Sequence, residues 1–565
     1  MKLLSVLITL CIISSACSSP QNTRSGSVAQ FDWFTYEGND PIYKDLTISE
    51  DEYINPVNAG FYPDPSIVRV EDDYYMVHSS FSYYPGIPIF HSTDLVNWRQ
   101  IGHVLNRPSQ LPVNGLGLSR GIFAPTIEYH DGTFYVLSTL VDAGGNFMVT
   151  TDDPTGEWSD LKWLDNVGGI DPSIFFDDDG TAYVLNNDAP EGGSTYEGHR
   201  AIWIREYDVE KNRSIGEAVM IINGGVDITQ QPIWIEGPHI MKVDGEYVLH
   251  AAEGGTGPNH SQVVLKGDNP IGPFTPYENN PILTQRHLSP VRDFAVEYVG
   301  HADMVETQNG EWWTVFLGVR PYDGTHFNTG RETFLLPVTW KEGWPVILEG
   351  DEAVPVKHER PDLPKTAPQN PPQHGNFSYT DNFDALQLAD YWTMIRSPKD
   401  KWWNLTDDGF LSIEARPEKI SSLENPSFVG RRQQHAYATA STKMLFNPEN
   451  TGDTAGLVAI QGDHYYYILG VTLNDRGQKE IFLEKSEGDD KQVIASDILE
   501  ETTTNEIYLK INARGPDYDF SYAVNENDWQ VLQEDADGTI LSTVKAGGFV
   551  GTVIGVYAYS PDESE

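Results

Sequence analysis

Apolar residues along this chain gather into short runs separated by Asp, Asn and Gly, and one such arrangement recurs. A small or polar residue, Pro or Ala, a polar residue and an apolar residue lead into a tight turn and then an aromatic-aliphatic run. The copies read DPSIVRVEDDYYMVHSS from Asp64, APTIEYHDGTFYVLST from Ala124, DPSIFFDDDGTAYVLNN from Asp171, GPHIMKVDGEYVLHAAE from Gly237 and HADMVETQNGEWWTVFLG from His301. Their starts are 60, 47, 66 and 64 residues apart. β-Branched and aromatic residues on both sides of an Asp/Asn/Gly turn predict a β-hairpin in each copy. Further strand-like stretches such as PIFHSTDLVNW and AIWIREYDV lie between copies, and no long helical periodicity intervenes. Five units of about four strands each predict a five-bladed β-propeller over residues 51–350. A sandwich with accidentally similar hairpins is the alternative, and five ordered copies argue against it.

The texture then changes. Residues 351–375 carry six prolines and read as an extended linker. Period-two runs such as YYYILGVTL, KEIFLEKS and EIYLKINA follow, predicting a second, antiparallel all-β domain, a β-sandwich, over residues 376–565. Residues 18–50 read as a polar tether and N-terminal extension ahead of the first blade.

Composition narrows the chemistry. The 565 residues hold 37 Lys+Arg against 83 Asp+Glu, a net charge of −46 that repels phosphate backbones, so nucleic acid is excluded as a partner. Aromatics are 12% of the chain, which suits flat, neutral, hydroxylated ligands. The only cysteines are Cys11 and Cys17, leaving the body without disulfides, Cys-based metal sites or a thiol nucleophile. MKLLSVLITLCIISSAC joins a Lys, a short apolar run and small residues into an export signal with Cys17 as the expected lipidation site. That run is too short to span a bilayer, so contact with a membrane is expected only through the lipid anchor. The expected location is a Gram-negative envelope. The periplasmic side is favoured over the cell surface, because SSPQN after Cys17 lacks an acidic cluster.

In a propeller the innermost strands line a common axis, so equivalent residues of the repeats converge. Asp64, Asp171 and His301 open three of the copies, and Glu236 stands immediately before Gly237 of another. Asp before Pro is a common turn former, but its recurrence with Glu at the matching corner of a further blade favours a functional cluster. Carboxylates around an aromatic pocket suit glycosidic cleavage, where an acid protonates the leaving oxygen and a base activates water. A third carboxylate can hold the acid protonated by like-charge repulsion.

GFYPDPSIVRVEDDYY, FSYYPGIPIFHSTDLVNWRQIGHVLNRPSQL, GIFAPTIEYHDGTFYV, GIDPSIFFDDDG, WIEGPHI, AAEGGTG, GHADMVETQNGEWW and GRETFLLPVTW together resemble glycoside hydrolase family 43 over residues 51–560, in the β-xylosidase-like branch, which implies that the companion sandwich is concanavalin-like. The resemblance implies Asp64 as general base, Glu236 as general acid and Asp171 as the residue that tunes and orients the acid. It implies Arg331 as a sugar-binding arginine, Phe81 and Phe123 as walls of the terminal-sugar subsite, and Phe549 as an aromatic sent from the sandwich. Many relatives carry Trp where Phe123 stands. His301 matches an axial histidine beside which some members hold calcium; its plainer reading is a hydrogen-bonded core histidine, and the reaction needs no metal. The implied activity is exo-acting, inverting release of β-D-xylosyl or α-L-arabinofuranosyl units from plant hemicellulose, with the first sugar left open. A non-catalytic glycan-binding lipoprotein and an endo-arabinanase are the rivals. The three intact carboxylates argue against the first, and a sandwich that closes the cleft argues against the second.

Overall fold

The computed structural model describes residues 27–499 and 505–562; the export signal with Cys17 lies outside the described residues. Each sequence repeat is a hairpin: Ser66–Val70 with Asp73–Val77, Thr126–His130 with Thr133–Val141, Ile170–Phe176 with Ala182–Asp188, Glu236–Val243 with Glu246–Glu253, and Glu297–Glu306 with Trp312–Val319. Each hairpin opens an antiparallel sheet of four or five strands, one per blade. The first strand of every hairpin packs against that of the next, and the fifth against the first, so the ring is closed. The protein is a five-bladed β-propeller followed by a β-sandwich.

No blade borrows a strand to close the ring. Instead Glu52–Ile54 pairs with Lys357–Glu359, bringing the segment before the first blade alongside the chain that leaves the fifth. Asn55 bonds both the N–H and the C=O of Leu335 at 3.0 Å, and the Tyr53 hydroxyl donates to the same carbonyl at 2.6 Å. Tyr53, Val57, Tyr62, Trp98, Trp313 and Leu335 fill the seam between these blades. Each such buried aromatic or aliphatic side chain contributes about 1.5–3 kcal/mol.

The sandwich pairs an eight-stranded sheet with a six-stranded one. One central strand of the larger sheet is Val28–Gly38, paired with Tyr437–Phe446 on one side and with Leu411–Glu414 and Ser378–Asp381 on the other. Residues 18–50 were expected to lie outside both domains, and this stretch of them does not. Ala29, Phe31, Phe34 and Tyr36 point into the core, with a register shift between Phe31 and Trp33 that breaks the simple alternation. In the smaller sheet the last strand, Val553–Tyr559, lies between Ser427–Arg432 and Thr454–Gly462.

Propeller and sandwich share one apolar seam in which Phe61, Phe81 and Tyr83 of the first meet Ile395, Phe428 and Val550 of the second. Arg396, wholly buried, crosses it. Its Nε donates to the Leu116 carbonyl at 2.7 Å and its Nη2 to Asp463 at 2.6 Å, while Asp463 also accepts the Leu118 N–H.

Candidate active site

The backbone delivers the functional side chains through a recurring local distortion. Asp64, Asp171, Gly237 and His301 all have positive φ, at 54°, 53°, 55° and 49°. Left-handed backbone is uncommon outside glycine, although Asp and His tolerate it better than most, and it clusters where structure serves a site. The strand pairing slips at three of these places, between Ile170 and Ser173, Glu236 and His239, and Gly300 and Asp303. Such a bulge re-aims a side chain that regular pleating would send elsewhere. In the second blade the innermost strand breaks between Ile122 and Thr126, and Phe123 fills the gap.

Gly237 earns its place sterically. A Cβ there would come within 2.7 Å of the His301 Nε2, so the missing side chain lets the imidazole lie against the backbone next to Glu236. This is why the fourth repeat places its carboxylate one residue early.

Asp64, Asp171, Glu236, His301 and Arg331 converge on one cavity of about 710 Å³ and are each less than 10% exposed. Asp64 is anchored at both oxygens: Arg331 Nη1 donates to Oδ1 at 2.6 Å and the Ser79 hydroxyl to Oδ2 at 2.5 Å. Asp171 Oδ2 accepts the Gly237 N–H at 3.1 Å, which ties it to the residue following Glu236. His301 Nδ1 stands 3.9 Å from Asp64 Oδ1.

The three carboxyls are driven apart in protonation. Burial alone would raise Asp64, but Arg331, His301 and the Ser79 hydroxyl outweigh it and hold Asp64 below the usual carboxylate range. Glu236 is pushed well above that range, first by burial and then by the charges of Asp171 and Asp64. Asp171 is pushed up to about 7 by burial and by Asp64. Burial lowers His301 to about 4, so it is a neutral imidazole at neutral pH. The site thus offers one ionised carboxylate and one protonated acid, with a third carboxyl poised between.

Phe81, Phe123 and Phe549 form an aromatic corner beside the carboxyls. Phe81 and Phe549 are stacked at 6.2 Å, and Phe123 meets them edge-on at 5.7 and 5.6 Å. The Arg331 guanidinium lies 5.9 Å from the Phe81 ring and 5.6 Å from the Phe549 ring. Phe549 is supplied by the sandwich, and its N–H donates to the Ser119 hydroxyl of the propeller at 2.9 Å. The cavity is therefore completed across the domain seam. Arg331 Nε is buried without a hydrogen-bond partner, a donor aimed at nothing the protein supplies.

All eight of the anticipated propeller and sandwich residues meet in this one cavity. Sequence reasoning did not single out Ser79, Asp188, Arg200, Trp234 or the 254–259 loop, although the loop's AAEGGTG had been noted as a motif. The resemblance also allowed calcium beside His301. Calcium takes six to eight oxygen ligands, whereas His301 shares its surroundings with His239, His260 and Arg331, and the nearby Asp64 oxygens are already engaged. Among the described residues no group of three or more His, Cys, Asp or Glu side chains is placed to hold a metal ion. These residues do not fit a calcium cage.

Comparison with known proteins supplies the family. The family model described as glycosyl hydrolases family 43 matches residues 53–345, and that of the beta xylosidase C-terminal concanavalin A-like domain matches residues 380–565. A xylosidase/arabinosidase of Butyrivibrio fibrisolvens is 38% identical over 90% of this chain and 95% of its own length. A non-reducing end α-L-arabinofuranosidase of Bacteroides ovatus is 36% identical over 91% of this chain and 92% of its own. Among solved structures, a GH43_12 protein retrieved from a capybara gut metagenome superposes with a TM-score of 0.88 at 41% identity, covering 95% of this chain and 100% of that one.

Proposed function

The chain belongs to glycosyl hydrolases family 43, and from that premise we propose that its cavity removes terminal pentosyl units, β-D-xylosyl or α-L-arabinofuranosyl, from plant hemicellulose by single displacement with inversion. It is a glycosidase, and its relatives include enzymes named for xylosidase and for non-reducing-end arabinofuranosidase activity. The observation that carries the acid–base reading is the meeting of Asp64, anchored and held ionised by Arg331, with Glu236, held protonated by burial, in one cavity; the inverting course is what the product test below decides.

Glu236, protonated, donates to the glycosidic oxygen as the bond to the anomeric carbon breaks. Asp64, ionised, takes a proton from the water that attacks the opposite face. Arg331 keeps Asp64 ionised and presents its guanidinium to the terminal sugar from the cavity wall, and Phe81, Phe123 and Phe549 pack the sugar's apolar edge. Asp171 keeps Glu236 protonated and in place through the Gly237 N–H. The sandwich-borne Phe549 shuts one side of the cavity, which supports exo action.

Aryl β-xyloside and aryl α-L-arabinofuranoside, followed by proton NMR of the first sugar released, test this reading. Release of α-xylose from a β-xyloside, or of the β anomer from an α-arabinofuranoside, is expected before mutarotation. First product with the substrate's own configuration refutes the roles of Asp64 and Glu236. The placement proposed is an envelope lipoprotein anchored at Cys17 on the periplasmic side. Palmitate labelling that vanishes in Cys17→Ala, and protection of the protein from external protease on intact cells, would support it. Labelling that persists would refute the anchor.

A further inference from the structure

The acid identifies the side on which the leaving group sits, and that side is more elaborate than a disaccharide requires. Two residues before Glu236 lies Trp234, held at a φ of 51° with its N–H donating to the Gly198 carbonyl at 2.8 Å. Gly198 and Gly255 leave room for it: a Cβ on either would come within 3.4 Å of the indole Cδ1. The Arg200 guanidinium lies 4.4 Å from the Trp234 ring and acts electrostatically on Glu236. Among the described residues it has no carboxylate within ion-pair distance, unlike Arg331 and Arg120, the other arginines of this cavity.

Next in the same segment stands Ile233, 39% exposed, and beyond it a second cavity of about 500 Å³ opens. The two cavities share Ile233, Gly254 and Asn259 as a common rim. The second is lined by polar groups, among them Asp227, Gln230, Gln231, Glu253 and Arg286. Its wall is fixed: Gln231 has a φ of 51°, Glu253 accepts the Val226 N–H at 2.9 Å, and Asp227 caps the turn through Thr229. Both volumes fall in the range of small-molecule sites, about 300–1,000 Å³.

We propose that the second cavity is a distal subsite for the leaving-group chain: the first sugar beyond the cleaved bond rests on the Trp234–Arg200 platform, the chain crosses Ile233, and the following sugars hydrogen-bond to Gln230, Gln231 and Arg286. The occupant is a neutral sugar chain, since two carboxyl side chains, Asp227 and Glu253, against one guanidinium, Arg286, disfavour a uronate. The proposal rests on the pentosidase reading and adds that the enzyme selects for chain length on the side it does not cleave.

The test is a ladder of β-1,4-xylo-oligosaccharides and α-1,5-arabino-oligosaccharides of two to five units, with aryl pentosides as substrates that lack a sugar chain there. On whichever ladder is cleaved, kcat/KM is expected to rise about fivefold from dimer to tetramer, the worth of one net hydrogen bond. Arg286→Ala and Gln230→Ala should each remove most of that rise while aryl pentoside hydrolysis stays within about twofold of wild type, a control that also reports folding. A flat wild-type ladder overturns the subsite, and so does an equal loss by the variants on aryl and oligomeric substrates. Absence of turnover on every aryl pentoside would sink the pentosidase reading itself, a distinct outcome.

Discussion

Replacing Arg331 by Ala separates the electrostatic account of this site from a merely steric one. The guanidinium donates to Asp64 at 2.6 Å, and the two side chains are 8% and 6% exposed, so solvent screens the pair little. Removing one partner of a buried ion pair leaves an uncompensated charge and costs roughly 3–5 kcal/mol. At neutral pH the variant should be destabilised by about that much, unless Asp64 takes up a proton. The sign follows from the depressed carboxyl. Wild-type Asp64 stabilises the fold above the unfolded carboxylate range, and that contribution is lost as pH falls through its lower folded value. Without Arg331 the burial that raises Asp64 is no longer outweighed by the strongest opposing charge. The acidic limb of the kcat/KM profile, which reports the base, should therefore move to higher pH. The stability gap between wild type and variant should be widest near neutrality and narrow as both forms of Asp64 protonate. The measurements are kcat/KM on an aryl pentoside and urea denaturation, each over a pH series. Arg331→Met, which keeps the bulk, should behave as Arg331→Ala does. An acidic limb that stays in place, with a stability gap that does not vary with pH, would refute the reasoning.

Glu236→Ala should lose far more activity on poor leaving groups than on activated aryl glycosides, by a factor of about 10²–10⁴; equal losses on both would remove Glu236 as the acid. Asp171→Asn deletes a like charge beside Glu236, so the alkaline limb of the rate profile should move to lower pH. Wild-type rates with an unmoved alkaline limb would take Asp171 out of the site. Phe549→Ala opens the aromatic corner from the sandwich side and should cost about 10–200-fold in kcat/KM on aryl pentosides. Unchanged kinetics would mean the sandwich plays no part in holding the sugar.

The propeller was legible because each blade repeats the same local decision: aromatic and β-branched residues on either side of an Asp- or Gly-bearing turn. The carboxyl cluster was legible for the same reason, since repetition places Asp64, Asp171 and the Glu236–Gly237 pair at matching corners. The left-handed backbone that aims them leaves only a faint trace, in the choice of Asp, Gly and His at those corners. Val28–Gly38 does alternate in its flanks, but the shift at Phe31/Trp33 interrupts the period, and its partner Tyr437–Phe446 is some four hundred residues away. No local pattern can announce such a partner. Arg200 carries no local signal, and Trp234 stands in WIEGPHI without a role of its own, because both belong to connections between strands, where neither periodicity nor repetition constrains the sequence.

The position of Val28–Gly38 also dictates the order in which the molecule can be built. A chain emerging from its N-terminus makes this strand first, yet all three of its partners, Ser378–Asp381, Leu411–Glu414 and Tyr437–Phe446, come after the whole propeller. Until those partners are present the strand has no neighbour in its sheet, and the whole propeller separates it from them in sequence. The other sheet waits longer still, because Val553–Tyr559 fills its interior last. The propeller, by contrast, can assemble blade by blade from hairpins close in sequence. Loop-closure entropy, which grows with the separation of the partners, predicts that the sandwich forms after the propeller. Since Phe549 reaches the cavity only when the sandwich docks, a chain with five complete blades holds the carboxyls but lacks one wall of the sugar pocket. The aromatic corner is complete only once Phe549 and the strand that follows it are in place.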